Sequence, residues 1–265
     1  LRDNTIVLFL TDNGPNSDRF NGGMRGRKGS VDEGGVRVPL FVRWPGRIRS
    51  GTQVSPIAAH IDLFPTIVEL CGLPMPETLP QDGRSLAPLL MGKDVDWPDR
   101  MLFTFRTPGA NLQNIRGSVR TQRWRAVKRA QHWQLYDMVA DPAQQEDVAK
   151  HNLDVMTQLR DAFEAKVVEV TQAGFDPIPT HVGHANWPTV VLPAHEAFLE
   201  PAPRQGISYV GASGWANDWI TNWTDTDAYA WWPLKVVKPG RFSIAVMYCC
   251  AEANLGSQVR IEFGG

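Results

Sequence analysis

Apolar runs alternate with short polar segments in the first part of the chain. The run from Ile6 to Leu10 contains no polar position and is followed directly by Thr11-Asp12-Asn13-Gly14-Pro15. An apolar run without alternation is typical of a strand covered on both faces, as in the parallel sheet of an α/β protein. A second run, 38–42, ends at the turn Pro45-Gly46. The pattern therefore predicts two buried strands, with Asp12 and Asn13 beyond the end of the first, where such sheets bind ligands.

The middle of the chain shows helical and then strand-like patterns. An apolar segment between Asp62 and Gly72 predicts a helix to about Cys71, capped by Asp62, and a shorter helix is predicted over 86–91. Four short apolar segments separated by polar turns then predict an antiparallel sheet, with strands at 101–105, 115–119, 124–128 and 133–136. After Asn152, one apolar stripe at helical spacing predicts a long helix, with Val155, Met156, Leu159, Phe163, Val167 and Val170 along it. Strands followed by a covering helix predict an α+β subdomain.

The last third of the chain changes composition again. Residues 174–188 are rich in proline and histidine, which predicts a linker. Short apolar segments follow and predict an all-β domain of the sandwich type, with strands at 189–192, 206–210, 229–237, 241–249 and 258–263. The predicted domains are therefore 1–98, 99–173 and 189–265, joined by the 174–188 linker.

Composition excludes several classes of partner. The formal net charge is −1, from 27 basic and 28 acidic residues, so no excess of positive charge indicates nucleic acid or an acidic membrane surface as a partner. No apolar stretch approaches the roughly 20 residues that span a bilayer. Three cysteines, two of them adjacent, do not predict a disulfide framework.

Candidate chemistry concentrates before residue 40. Asp12 and Asn13 offer hard oxygen ligands, which suit Ca2+ or Mg2+, although an Asp-Asn-Gly segment is also ordinary turn chemistry. Lys28 lies in the basic loop Arg25-Gly26-Arg27-Lys28-Gly29-Ser30, and such loops are usually solvated. A fixed ammonium group next to a divalent cation would, however, stabilise an oxyanion.

The order of these segments resembles the second half of a sulfatase of the alkaline-phosphatase-like superfamily. The resemblance rests on the strand with Thr11-Asp12-Asn13-Gly14, the RGRKGS loop at 25–30, the Asp32-Glu33-Gly34-Gly35-Val36-Arg37-Val38-Pro39 segment and Trp44-Pro45-Gly46. It extends to about Lys166, because 134–147 is similar to the family's carboxyl-terminal subdomain. The expected fold is therefore α/β, the carboxyl-terminal part of a sulfatase fold, with an α+β subdomain and a separate all-β sandwich-like domain.

The resemblance implies roles for individual residues. Asp12 and Asn13 would be two ligands of one divalent ion, usually calcium, and Lys28 would reach the sulfate group. Glu33 and Arg37 are expected to hold the loop in place, Arg25 and Arg27 to be loop charges, and His60 to be structural. The implied reaction is hydrolysis of a sulfate ester, with sulfated polysaccharide as a candidate substrate, in a periplasmic or secreted enzyme.

One element of the family pattern has no match in the sequence. Sulfatases of this type carry a Cys/Ser-x-Pro/Ala-x-Arg segment whose first residue becomes the formylglycine nucleophile, and neither Cys71, Cys249 nor Cys250 begins one. We therefore expect a fragment that lacks the amino-terminal half of the sulfatase domain and has little activity alone. Two alternatives stay open: a phosphoester or phosphonate hydrolase of the same superfamily, and a non-catalytic carbohydrate-binding protein. Tryptophans of the last domain could stack on sugars, but a sandwich core also needs large aromatics, and we favour the core interpretation for them: Trp187, Trp215, Trp219, Trp223, Trp231 and Trp232.

Overall fold

The chain divides into two compact units, and the division in the sequence falls between Phe175 and Asp176. The computed structural model describes residues 2–17, 20–77, 79–106, 112–201, 206–211 and 216–264. Trp215, one of the tryptophans named above, lies outside the described residues. The candidate chemistry all lies in the first unit.

The two apolar runs near the start form a pair of antiparallel strands. Strand β1 (Val7–Leu10) pairs with β2 (Leu40–Arg43), and Leu8 faces Val42. Phe9 and Phe41 face each other with ring centroids 6.1 Å apart, and their side chains are 58% and 65% exposed. The prediction of buried strands in a parallel sheet is therefore wrong for this chain. An unbroken apolar run predicts that both faces of a strand are apolar, but it does not determine the direction of the neighbouring strand.

Three short helices follow the first strand. They are α1 (Glu33–Val36), α2 (Leu63–Leu70) and α3 (Ala87–Leu90). Asp62 precedes α2 as predicted, but its carboxylate does not cap the helix. It accepts hydrogen bonds from the backbone N–H groups of Ala59 and Arg84 and from the Arg100 guanidinium instead. Asp62 itself has helical backbone angles, whereas a capping side chain folds back from an extended residue.

The predicted four-stranded antiparallel sheet is confirmed. Its strands lie in sequence order: β3 (Leu102–Arg106), β4 (Arg116–Arg120), β5 (Trp124–Arg129) and β6 (His132–Asp137). The long helix α4 (Leu153–Thr171) covers one face of this sheet. Most of the predicted stripe packs there, whereas Val170 is 52% exposed. The side-chain amide of Asn152 donates to the Val148 carbonyl and makes no helix cap.

The two faces of the sheet have different contents because successive side chains on a strand point to opposite sides. Val119, Ala126 and Leu135 face α4, with Leu159 and Phe163 packed against them. The opposite face carries a second apolar cluster and a row of buried polar groups. That cluster consists of Val31, Val127, Tyr136 and Met138. The opposite face therefore contacts the segment that precedes α1.

The described residues of the second unit contain three small two-stranded sheets. They are β7 (Thr180–Val182) with β12 (Leu234–Val236), β8 (Phe198–Glu200) with β11 (Tyr229–Trp231), and β9 (Ser208–Tyr209) with β10 (Ile220–Thr221). The predicted linker thus contains a strand, β7, which pairs in parallel with β12. No strand is described at 189–192, 241–249 or 258–263, so the structure shows no closed sandwich within its described range. Apolar residues such as Met247, 88% exposed, have no pairing strand among those residues.

Within the described part of the chain, every helix is too short or too polar to cross a membrane.

Candidate active site

The Asp12-Asn13 turn is exposed and is held by its neighbours. Asp12 is exposed and Asn13 is half-buried. The Thr11 hydroxyl donates to the Asn13 carbonyl oxygen over 3.1 Å. The His60 ring nitrogen Nε2 lies 2.8 Å from the Thr11 carbonyl oxygen, which can only accept, so Nε2 is the donor. His60 therefore positions the end of β1, in the structural role that the sequence predicts for it.

Three glycines let this turn approach helix α1 and the basic loop. The Gly14 N–H donates to the Gly35 carbonyl oxygen over 3.0 Å, and a Cβ on Gly14 would lie 1.9 Å from the Gly34 oxygen. A Cβ on Gly34 would lie 2.4 Å from the Gly26 oxygen, and one on Gly35 would lie 2.3 Å from the Ser30 oxygen. Helix α1 therefore contacts the turn on one side and the loop on the other, at distances that only glycine permits.

Lys28 is joined to the same turn through its backbone. Its N–H donates to the Pro15 carbonyl oxygen over 2.9 Å, and its side chain is exposed. The Arg106 guanidinium, at the end of β3, donates to the carbonyl oxygen of the next residue, Gly29. The backbone of Lys28 is thus joined to Pro15, two residues after Asn13.

The donor set of the turn fits part of a site for a hard divalent ion. A carboxylate and an amide oxygen suit calcium or magnesium. No group of three or more His, Cys, Asp or Glu residues placed for a metal occurs within the described ranges. Calcium takes about six to eight oxygens, so Asp12 and Asn13 supply only a fraction of a coordination sphere.

A buried ion pair lies beneath the basic loop. Arg125, on the polar face of β5, donates from Nε (3.0 Å) and Nη2 (2.6 Å) to one carboxylate oxygen of Glu33. The side chains of Arg125 and Glu33 are only 4% and 5% exposed. The remaining Arg125 nitrogen donates to the Val31 carbonyl and the Ser118 hydroxyl. Burial lowers the pKa of Arg125, and the adjacent Glu33 carboxylate opposes that effect.

Gln144 and Asp32 extend this polar layer. Gln144, 1% exposed, accepts the Glu33 N–H over 2.7 Å and donates to Asp32 over 3.3 Å. Asp32 also accepts from the Ser30 hydroxyl over 2.6 Å and from the Arg129 guanidinium. Every buried charge in this layer therefore has a partner of opposite sign, as buried charges require.

Arg25 also takes part in the layer. Its guanidinium donates to the Tyr136 hydroxyl over 2.8 Å and to the Gln144 carbonyl over 3.2 Å. Burial raises the pKa of Tyr136, and the Arg25 charge opposes this rise. Arg25 is exposed, as expected of a loop charge, and its guanidinium also contacts two residues that lie more than a hundred positions away in the sequence.

The sequence-based prediction did not include Arg125, the residue that the sheet contributes to this polar layer. The sequence did contain an indication of it. In the strand Trp124–Arg129, Arg125 and Val127 are two positions apart and lie on the same face, and Val127 is buried. An arginine on a buried face requires an acid, and Asp32-Glu33 is the acidic pair of the segment before α1. Glu33 itself was expected to hold the loop in place, and its contacts with Arg125 and Gln144 agree with that role.

Several proteins that are similar to this chain are named as sulfatases. The structure of Ps i-CgsB in complex with k-i-k-neocarrahexaose is similar to this chain, with a TM-score of 0.56 and a sequence identity of 29%. The similar region covers 62% of this chain and 36% of the Ps i-CgsB chain. The N-acetylgalactosamine-6-O-sulfatase of Bacteroides thetaiotaomicron is 30% identical over 62% of this chain and 37% of its own length. Human arylsulfatase A is 36% identical over 54% of this chain and 28% of its own length. The chain thus corresponds to the carboxyl-terminal portion of a sulfatase.

The family model described as "N-sulphoglucosamine sulphohydrolase, C-terminal" matches residues 27–173, more than half of the chain. The chain belongs to that family. The region that matches covers 37% of the length of the Bacteroides relative and 28% of the length of human arylsulfatase A.

Proposed function

We propose that the protein containing this chain hydrolyses sulfate esters, with Asp12 and Asn13 as ligands of a divalent ion and Lys28 as the cation that binds the sulfate group. The observation that supports the proposal is the hydrogen bond from the Lys28 N–H to the Pro15 carbonyl, which joins the lysine backbone to the segment that follows Asn13. Calcium is the ion we propose, with magnesium as the alternative.

The chemistry of a sulfate ester suits these groups. Negative charge is spread over the sulfate oxygens, and charge builds up on the leaving oxygen as the S–O bond breaks. A bound divalent ion would supply positive charge at this point. Lys28 would bind a sulfate oxygen from the side of the basic loop, and its backbone hydrogen bond limits how far the loop moves when charge develops. Asp12 and Asn13 would orient the ion. No residue of this chain is proposed as the nucleophile.

We propose a sulfated glycan as the substrate. The name of the Bacteroides relative specifies an N-acetylgalactosamine sulfate, and Ps i-CgsB was crystallised with a neocarrahexaose. A polymeric glycan does not enter a cell readily, so we propose a periplasmic or secreted location. Fractionation of the native host tests the location.

The exposed apolar residues of the first unit support a role for additional polypeptide. Val7, Phe9 and Phe41 on β1 and β2, and Phe64 and Ile67 on α2, are each at least 40% exposed. Exposed large apolar residues mark a surface that packs against something else. We propose that it contacts polypeptide equivalent to the remaining length of the related sulfatases, which would also complete the metal site.

The test is hydrolysis of 4-nitrophenyl sulfate and of sulfated oligosaccharides by the full-length protein and its Lys28→Ala variant. We expect Lys28→Ala to lower kcat/KM by about a hundredfold, the effect of removing one group that stabilises transition-state charge. Lys93→Ala is the matched control, because Lys93 is an exposed lysine after α3. Equal activity of the Lys28→Ala variant and the wild type would refute the role of Lys28.

The same assay with 4-nitrophenyl phosphate and a phosphonate monoester separates the alternatives. Higher kcat/KM for either phosphorus substrate than for the sulfate would favour the phosphoester or phosphonate hydrolase. Glycan binding without turnover of any of these esters would favour the carbohydrate-binding protein.

A further inference from the structure

We propose that Glu33 and Arg125 are positioning residues for Lys28, so that the sheet of the carboxyl-terminal subdomain controls the sulfate-binding loop without touching the substrate. The inference rests on the proposed function of Lys28. It adds a role for two buried side chains of the polar layer beneath the basic loop.

The first step is the anchor. Two Arg125 nitrogens donate hydrogen bonds to Glu33. The third donates to the Val31 carbonyl oxygen and to the Ser118 hydroxyl. Arg120, one strand away on β4, places its Nε 3.5 Å from the same Glu33 oxygen. Buried charges in several simultaneous hydrogen bonds have few alternative positions, so the start of α1 is fixed relative to β4 and β5.

The second step is the connection from the anchor to Lys28. Glu33 is the first residue of α1, and the next residue, Gly34, donates its N–H to the Arg25 carbonyl over 2.8 Å. Gly34 and Gly35 are also in backbone contact with the loop, since a Cβ on either would overlap a loop carbonyl. Rigid backbone contacts transmit displacement directly, because no flexible side chain lies between the two segments. A shift of Glu33 therefore moves the loop that carries Lys28.

The third step is the link to the turn. The Gly14 N–H bonds to Gly35 and the Lys28 N–H bonds to Pro15, so α1, the basic loop and the Asp12-Asn13 turn form one hydrogen-bonded unit. A displacement of α1 therefore acts on the loop that carries the lysine and on the ligand turn together. Only the polar face of the sheet contacts this hydrogen-bonded unit, because the opposite face packs against α4.

The first experiment measures hydrogen exchange at the Lys28 amide in the full-length protein. Glu33→Gln keeps the volume of the side chain and removes its charge, and Arg125→Lys keeps the charge and removes the fork of two nitrogens. We expect both variants to increase the exchange rate of the Lys28 amide by at least about tenfold, within the range of coupling between residues of one network. Leu159→Ala is the control, because it destabilises the same sheet from the α4 side. Unchanged protection of the Lys28 amide in Glu33→Gln and Arg125→Lys would overturn the inference.

The second experiment is a double-mutant cycle on kcat/KM for 4-nitrophenyl sulfate. If Glu33 acts through Lys28, Glu33→Gln lowers kcat/KM about tenfold in the wild type and less than about twofold in the Lys28→Ala background. Leu159→Ala gives the same factor in both backgrounds. If Glu33→Gln also gives the same factor in both, Glu33 has only a general structural role and the inference fails.

The two experiments separate this inference from the proposed function. Loss of amide protection combined with wild-type activity of Lys28→Ala would leave the mechanical link intact and refute the proposed role of Lys28 in binding sulfate. If Glu33→Gln does not fold, Arg125→Lys carries both measurements.

Discussion

Arg100 and Asp62 form an ion pair that is almost completely shielded from water. The Arg100 Nη1 lies 2.9 Å from Oδ1 of Asp62, and Nη2 contacts Oδ2. The side chains are 7% and 0% exposed. Asp62 precedes α2 and Arg100 precedes β3, so the pair joins the segment after β2 to the start of the carboxyl-terminal sheet.

We predict that Asp62→Asn destabilises the chain strongly. The substitution leaves the Arg100 guanidinium buried without a counter-charge, which costs about 3–5 kcal/mol in free energy of unfolding. Asp161→Asn is the matched control, since Asp161 is 59% exposed and pairs with Arg160 at the surface; its effect should stay below about 1 kcal/mol. Urea unfolding followed by tryptophan fluorescence measures both. Similar losses in the two variants would contradict the prediction.

We predict that Gly14→Ala separates the ligand turn from α1. The new Cβ would lie 1.9 Å from the Gly34 oxygen, a backbone atom that cannot move independently. Overpacking of this kind costs about 1–3 kcal/mol, and kcat/KM of the full-length protein should fall with it. Gly240→Ala is the control, because nothing lies within 4 Å of its Cβ position. A Gly14→Ala protein with wild-type stability and activity would show that this close approach is unimportant.

We predict that Asp12→Asn weakens binding of calcium to the full-length protein. The substitution keeps the size of the side chain and removes a negative ligand, so affinity should fall by at least about tenfold, as expected when a hard cation loses ligand charge. Isothermal titration after chelator treatment measures the affinity. Asp94→Asn, at an exposed position after α3, is the control and should bind calcium like the wild type. Equal affinities in all three proteins would remove Asp12 from the metal site.

We predict a pH-dependent contribution of Asp137 to stability. Hydrogen bonds from Arg123, at 2.9 and 2.8 Å, hold the pKa of the Asp137 carboxyl below its usual value. The unfolded chain therefore binds the proton more readily, so the stabilisation is present above the unfolded pKa of about 3.9 and is lost as the pH falls through the folded pKa. Arg123 is 61% exposed, which limits the effect to about 1 kcal/mol or less.

The measurement compares urea midpoints of the wild type and Asp137→Asn from pH 7 to pH 2.5. The wild type should be the more stable protein at pH 7, and the difference should disappear at the acidic end. A difference that is constant over this range would show that the carboxyl pKa is the same in the folded and unfolded chains.

Local patterns predicted the carboxyl-terminal subdomain well. Alternating residues define β4, β5 and β6, and the stripe through Leu159 and Phe163 defines the buried side of α4. These features depend on neighbours in the sequence, so periodicity is sufficient to find them. In the second unit the same reasoning placed strands at 241–249 and 258–263, where the structure describes none. Apolar residues indicate a strand there, but a strand also requires a partner to pair with.

The sequence by itself determined the family, the Asp12-Asn13 turn, the position of Lys28 after it, and the order of strands and helix in the subdomain. Only the tertiary structure decided that β1 pairs antiparallel with β2 and that Glu33 meets Arg125. The physical reason is that composition and periodicity report the polarity of each position, whereas the partner of a buried charge depends on the path of the chain. Glu33 and Arg125 are 92 positions apart in sequence, and folding places their side chains 2.6 Å from each other.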